Sequence, residues 1–146
     1  MKALGNVRFT ASIRPGVHGV GTINGATIDR YNPSAAGDGF RRAVFIFAAG
    51  TAGAGASVAV KVQDSDDGST WTDIPGAAFA PITPSNHNSN YVLDLDLLGR
   101  KRYLRAVATV ATAASACAVM CALYATAHGV AQEQTPVVVH AVGAQY

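Results

Sequence analysis

Four carboxylates crowd one short stretch of the chain: Asp64, Asp66, Asp67 and Asp73. Such a run could cage a hard cation, since calcium takes about six to eight oxygen ligands. An EF-hand loop, however, needs Gly at its sixth position and a bidentate Glu at its twelfth. Counted from Asp64, Gly68 falls one position early and no Glu follows. The residues fit a tight turn better, in which Asp and Gly supply the geometry. Cys117 and Cys121 stand four apart. On a strand they would share a face at roughly 13 Å, beyond the reach of about 7 Å that a disulfide allows. On a helix they would be adjacent, but zinc wants four ligands and His128 is the one His nearby. They read as small buried residues.

His18, His87, His128 and His140 are scattered, and the single Glu, Glu133, lies in a polar tail. No Gly-x-Ser-x-Gly elbow and no His-Glu-x-x-His pair occurs. No catalytic residue, no cofactor and no metal ligand set is expected, and the chain is not expected to be an enzyme. The densest basic patch is Arg100, Lys101 and Arg102 with Arg105; Arg41 and Arg42 make a smaller one. These six are the candidate interaction residues. The first patch would either be a solvated strand start, with room to pair with Asp94 and Asp96 across the turn, or meet an acidic protein surface. Only Tyr103 interleaves it as a stacking group, so nucleic acid is not an expected partner.

The elements that carry these residues come from an unusual composition. Among 146 residues, 28 are Ala and 15 are Gly, while charged residues make up only 14%, against about 25% in an ordinary soluble domain. Hydrophobic content of 49% argues against disorder, and the net charge of +2 is too small for a nucleic-acid coat or polybasic membrane binder. Scarce Glu and Lys remove the residues that decorate exposed helices. The start, Met1 to Gly5, lacks the apolar run of a signal peptide. A surface this poor in charge suggests one that something else covers.

Residues Val7 to Ile13 and Val17 to Ile23 could be short strands, with Asn24-Gly25 as a two-residue hairpin turn. Pro15-Gly16, Asn32-Pro33 and Gly37-Asp38-Gly39 punctuate this region. Arg41 to Phe47 reads as a strand buried on both faces or nearly so, and Gly50 to Gly55 as a small-residue turn. Residues 57–74 read as a hairpin: Val58, Val60 and Val62 face one way, and Thr70 to Ile74 return. Tyr91, Leu93, Leu95 and Leu97 share one face, Asp94 and Asp96 the other. Leu104, Ala106, Ala108 and Val110 face in, Arg105 and Thr109 out. Residues 106–127 carry no charge and are long enough to span a bilayer. Their Ala, Thr, Val and Ser content drives insertion weakly, so two strands, about 103–111 and 117–127, are preferred over a membrane or soluble helix. A tight hairpin would join them. Thr135 to Val139 reads as a strand or an extended arm that adds to a sheet edge. The sum is an all-β chain of about eight strands, in an antiparallel sandwich or small barrel.

Three segments carry a family resemblance: Gly21 to Arg30, Val60 to Ile74 with its Asp-Asp-Gly-Ser-Thr-Trp turn, and Arg102 to Val107. Together, across roughly residues 20–128, they resemble the cement, or decoration, proteins that stabilise the heads of HK97-type tailed bacteriophages. The resemblance implies a jelly-roll-like β-sandwich over 21–128 without catalysis. It leaves 1–20 as an N-terminal arm or edge strands and 129–146 as an extended C-terminal tail. It further implies a place on the capsid surface of a virion assembled in the host cytoplasm. The major capsid protein would be its partner, alongside itself as homodimer or homotrimer; no membrane would be involved. Another virion part (tail, connector or spike) is the nearest alternative. A carbohydrate-binding sandwich with Trp71, Tyr91, Tyr103 and Tyr124 as stacking residues is a further one.

Overall fold

The computed structural model describes residues 7–31, 39–126 and 137–139. The expected turns at Asn32-Pro33 and Gly37-Asp38, and the tail apart from Val137–Val139, lie outside the described residues. Ten strands follow in order: β1 (Arg8–His18), β2 (Gly21–Asn24), β3 (Ile28–Asp29), β4 (Phe40–Ala52), β5 (Ser57–Ser65), β6 (Thr72–Ala78), β7 (Ser89–Asp96), β8 (Tyr103–Ala111), β9 (Ser115–Thr126) and β10 (Val137–Val139). No helix occurs among the described residues, so none there is long and apolar enough to cross a membrane.

The strands form two sheets, ordered β1-β9-β4-β7-β10 and β2-β8-β5-β6, with β3 continuing along β8. Every pairing is antiparallel. Setting aside β3 and β10, eight strands make two four-stranded sheets. In this set only the β5–β6 connection stays within one sheet; every other one crosses between layers. This is the wrapping of a jelly roll, the fold class expected from the sequence.

Alternation builds the core. Phe45, Phe47, Leu93, Leu104, Val119, Cys121 and Leu123 are wholly buried between the layers. Phe47 meets Phe79 edge-on at 5.5 Å, the arrangement aromatic quadrupoles favour. Each such side chain stabilises the fold by about 1.5–3 kcal/mol through burial. The inward sets read for β7 and β8 are the ones observed, and Val58, Val60 and Val62 point inward together.

Four local expectations are corrected or sharpened. Asn24-Gly25 is not a hairpin turn, because β2 and β3 run on along the same neighbour: Asn24 faces Val107 and Ile28 faces Leu104. Gly25 instead lets two layers touch. Its N–H donates to the Ala106 carbonyl at 2.8 Å and the Ala26 N–H to the Ser12 carbonyl at 2.7 Å. Second, β1 is one strand running through Pro15-Gly16, with register shifts between Ala11 and Gly16. Proline is tolerated there because β1 is a sheet edge. Third, β4 buries its two faces unequally: Ala43, Phe45 and Phe47 enter the core, while Val44 and Ile46 are half-buried on the outside. Fourth, β8 and β9 are not a hairpin. They lie in different sheets, and the chain turns the corner at Thr112 with φ of 72°. The Gly53 N–H donates to the Ala114 carbonyl at 3.1 Å, tying this corner to the β4–β5 corner.

Gly25→Ala places a methyl group against the Ser12 side chain and 2.5 Å from the Ala106 carbonyl oxygen, whereas a Cβ at Gly16 meets nothing within 4 Å. We expect Gly25→Ala to lower unfolding free energy by about 1–3 kcal/mol through overpacking. Gly16→Ala should stay within about 0.5 kcal/mol of the parent. Urea denaturation of both variants measures the difference.

Candidate interaction surface

The acidic turn is a self-satisfied loop. Asp67 Oδ1 accepts from the N–H groups of Ser69 (2.8 Å) and Thr70 (2.7 Å) and from Ser65 Oγ (2.9 Å). Gly68, at φ of 73°, supplies the left-handed residue the turn needs, and its N–H donates to Ser65 Oγ at 2.9 Å. These donors, the Thr70 and Ser69 N–H groups foremost, lower the Asp67 carboxyl to about 2. Asp64 is buried and accepts from the Lys101 N–H at 3.4 Å. Asp73 accepts from Lys61 (2.8 Å) and Gln63 (2.6 Å), which hold its carboxyl below the ordinary aspartate range. Each of these carboxylates thus has its own protein partner, and no group of three or more His, Cys, Asp or Glu converges among the described residues.

The six candidate basic residues do not form one patch. Arg100, Lys101 and Arg102 pair with Asp64 (3.8 Å), Asp66 (4.0 Å) and Asp29 (2.8 Å). The expected pairing with Asp94 and Asp96 is corrected. Those carboxylates sit on the other sheet, where Arg42 takes Asp94 at 2.6 Å and Asp96 accepts from the Leu98 N–H at 2.9 Å. Arg105 lies over the Trp71 ring at 4.3 Å, and its Nε donates to Gln63 at 2.9 Å. Arg102 forks both oxygens of Asp29, and this hydrogen bonding lowers the Asp29 carboxyl. Arg41 and Arg100 line a cleft of about 350 Å³ with Arg30, Tyr31, Leu97 and Leu98. Arg30, which sequence reading missed, is buried there and donates to the carbonyls of Arg100 (2.7 Å), Lys101 (3.1 Å) and Phe40 (3.2 Å). Nothing in its local sequence distinguishes it from an exposed arginine.

The four aromatics weighed as a sugar platform are also separated. Tyr91 is buried and donates to the Asn86 carbonyl at 2.8 Å. Tyr124 donates to Asp94 at 3.1 Å and accepts from Arg42 Nε at 2.8 Å, on the outside of the first sheet. Trp71, just before β6, and Tyr103, at the start of β8, each lie beneath an arginine.

The two outer faces differ in kind. The outside of the second sheet carries Lys61, Gln63, Asp73 and Arg105, joined into a hydrogen-bonded chain. Beyond the row of Tyr124, Arg42 and Asp96 at one end, the outside of the first sheet is largely apolar. One row across it sets Phe9 beside Ala122, Ala122 beside Val44 and Val44 beside Asp94. The next sets Ala11, Met120, Ile46 and Val92 abreast, and a third sets Ala118, Ala48 and Asn90 abreast. Asp94 is the only charged residue in these rows, and it is paired. Phe9 is 64% exposed and Val17, further along β1, is 76% exposed. A shallow hollow of about 250 Å³ between Pro15-Gly16, Ala48 to Gly50 and Ala116 to Ala118 continues this face. Outward sides of antiparallel sandwiches are ordinarily polar, so this sheet departs from the rule. The signal was present in the uncharged alternate residues of β4 and β9.

Cys117 and Cys121 are free and buried, as read from their spacing. Burial raises both thiols, Cys121 to about 12. We expect neither to react with iodoacetamide at pH 8 in the folded protein, and both to react in denaturant; mass spectrometry reads the label count. The Asp67 loop gives a pH test. Its folded pKa lies below the unfolded value of about 3.9, so its stabilisation is present above pH 4 and is lost as pH falls towards 2. Asp67→Ala should lower the melting temperature at pH 6, and that deficit should shrink towards pH 2.

No family model matches the chain, and no curated protein matches it. Among solved structures it is similar to the crystal structure of SPBc2 prophage-derived protein YomS. The TM-score is 0.54 at 11% identity, over 82% of this chain and 94% of that one. At that identity the likeness is one of fold: the jelly roll described above is shared with a prophage-derived protein.

Proposed function

We propose that this chain is a structural protein of a bacteriophage particle, and within that class a cement protein on the outside of the assembled major-capsid shell. The observation that carries the reading is the contrast between the two outer faces. One has its charges tied to one another; the other offers Phe9, Val44, Ile46 and Met120 in an apolar expanse. Contiguous apolar surface of this kind marks contact with protein. The shared fold with a prophage-derived protein agrees in kind, and the sequence resemblance to cement proteins supplies the specific role.

A cement protein works by linkage. It binds the assembled shell and not its separated parts, so its binding free energy becomes shell stability. At a free concentration one hundred times the dissociation constant, each site contributes about 2.7 kcal/mol. The role needs a rigid scaffold and a face that desolvates easily, and it needs no catalytic group. Abundant Ala on β4 and β9 permits close approach of a partner backbone. Arginine, favoured at protein interfaces over lysine, outnumbers lysine eight to three here.

Particles assembled without this chain should release their genome at a lower temperature than complete particles, and adding the purified protein should restore the difference. Equal release temperatures would sink the cement reading. A labelled chain found on the tail or connector instead of the shell would move the protein to another virion role.

A further inference from the structure

We infer that the cleft at the open end of the sandwich binds an acidic segment of another protein. Its arginines take a side-chain carboxylate, and Leu98 with Tyr31 takes an apolar side chain next to it. The inference names a ligand chemistry and does not depend on a place in a particle. Three of the seven residues that line the cleft, Arg30, Arg41 and Arg100, are arginine, and none is acidic. Its volume of about 350 Å³ is at the small end of the range for bound ligands, about 300–1,000 Å³, which suits a short length of chain.

The walls are fixed before anything binds. Leu97 to Arg100 forms a type II turn: the Arg100 N–H donates to the Leu97 carbonyl at 3.0 Å, and Gly99 takes the left-handed third position at φ of 75°. Leu98 is held outward on this turn, 72% exposed, with its N–H donating to Asp96 at 2.9 Å. The Leu97 N–H donates to the Arg41 carbonyl at 2.8 Å and ties the turn to the start of β4. Arg30, itself buried, clamps the same parts together through the carbonyls of Arg100, Lys101 and Phe40. Its guanidinium lies 4.6 Å from the centre of the exposed Tyr31 ring. A site ordered in advance loses little on binding.

Charge decides the occupant. Hydrogen bonds to neutral carbonyls fix where the Arg30 charge sits. Arg100 reaches the buried Asp64 at 3.8 Å, well beyond the length of a charge-assisted hydrogen bond, about 2.7–2.9 Å, so its donor fork can turn to an incoming carboxylate. Asp29, on the same end, is forked by Arg102. Charges of one sign on a low-dielectric cleft focus potential towards an anion, and guanidinium groups match the two oxygens of a carboxylate. The exposed leucine and tyrosine ring beside them favour an anion carried on an apolar chain over inorganic phosphate.

Titration of the isotope-labelled whole chain with the peptide acetyl-Gly-Leu-Asp-Leu-Gly-amide, followed by amide chemical shifts, tests this. The peptide should shift Tyr31, Leu98, Gly99 and Arg100 saturably, with a dissociation constant of about 1 mM or below. Asn in place of its Asp should weaken binding about tenfold or more, the factor expected for a hydrogen bond to a charged group. Gly in place of both Leu should weaken it about threefold or more. Arg100→Gln should weaken it about tenfold, and Arg41→Gln supplies the same reading even if the first variant fails to fold. Arg105→Gln, outside the cleft, should bind as the parent does. No saturable shift, shifts centred on the second sheet, or arginine variants that bind like the parent overturn the inference. So does an Asn peptide or inorganic phosphate that binds as tightly as the Asp peptide. Each of these results leaves the cement reading standing, because that reading rests on the outer face of the first sheet and is tested on particles.

Discussion

A strand in a two-layer sandwich has two faces, and the chain's own core can cover only one. Most of this structure follows from how that constraint is met. In the second sheet the outward face is filled with Lys61, Gln63, Arg105 and Thr109, which water and one another satisfy. In the first sheet the outward positions are mostly apolar away from Arg42, Tyr124, Asp94 and Asp96 at one end. Phe45 and Phe47 face in while Val44 and Ile46 face out, one residue apart on the same strand.

The low charge content is the other side of the same design. The charged residues that exist are used locally. Asp67 closes the β5–β6 turn, Asp29 anchors Arg102, Asp73 collects Lys61 and Gln63, and Asp94 neutralises Arg42 at the rim of the apolar face. Exposed pairs of this kind stabilise by little, about 0–1 kcal/mol each. Their effect is to leave little unneutralised charge on either outer face. Arg30 does a related job indoors: its guanidinium gathers three carbonyls at the open end of the sandwich, where strand ends leave acceptors unpaired.

Small residues set the corners. A jelly roll must carry its chain between layers repeatedly, and each crossing brings backbones close. Gly25 against Ser12 and Ala106, and Gly53 against Ala114, are two such approaches. Thr112 accepts a left-handed backbone at the β8–β9 corner, a conformation that costs about 1–2 kcal/mol for a residue with a Cβ. The Ala-rich run from 106 to 126 therefore serves as two thin strands on opposite layers, joined by a strained corner.

Period-two alternation was legible in β5, β7 and β8, because each has one core face and one polar face, and the pattern states which is which. The Asp-Asp-Gly turn was legible because its geometry is local. The all-β class followed from many short alternating runs and the scarcity of exposed-helix formers. Three things were not legible. Arg41 to Phe47 looked buried on both sides or nearly so, since hydropathy cannot distinguish a core face from a half-buried outer one. Asn24-Gly25 and Thr112 to Ser115 looked like hairpin turns, since turn chemistry does not say whether the next strand returns to its neighbour or crosses to the other layer. The ion pairs of the basic patch depended on which sheet each strand joined, so Arg100 and Arg102 met Asp64 and Asp29, and Asp94 went to Arg42. Strand identity, inward faces and the scarcity of charge are local properties of the chain, and so were readable residue by residue. Layer assignment, and with it which uncharged residues gather on one outer face, came with the fold, because it depends on pairings between residues far apart in the chain.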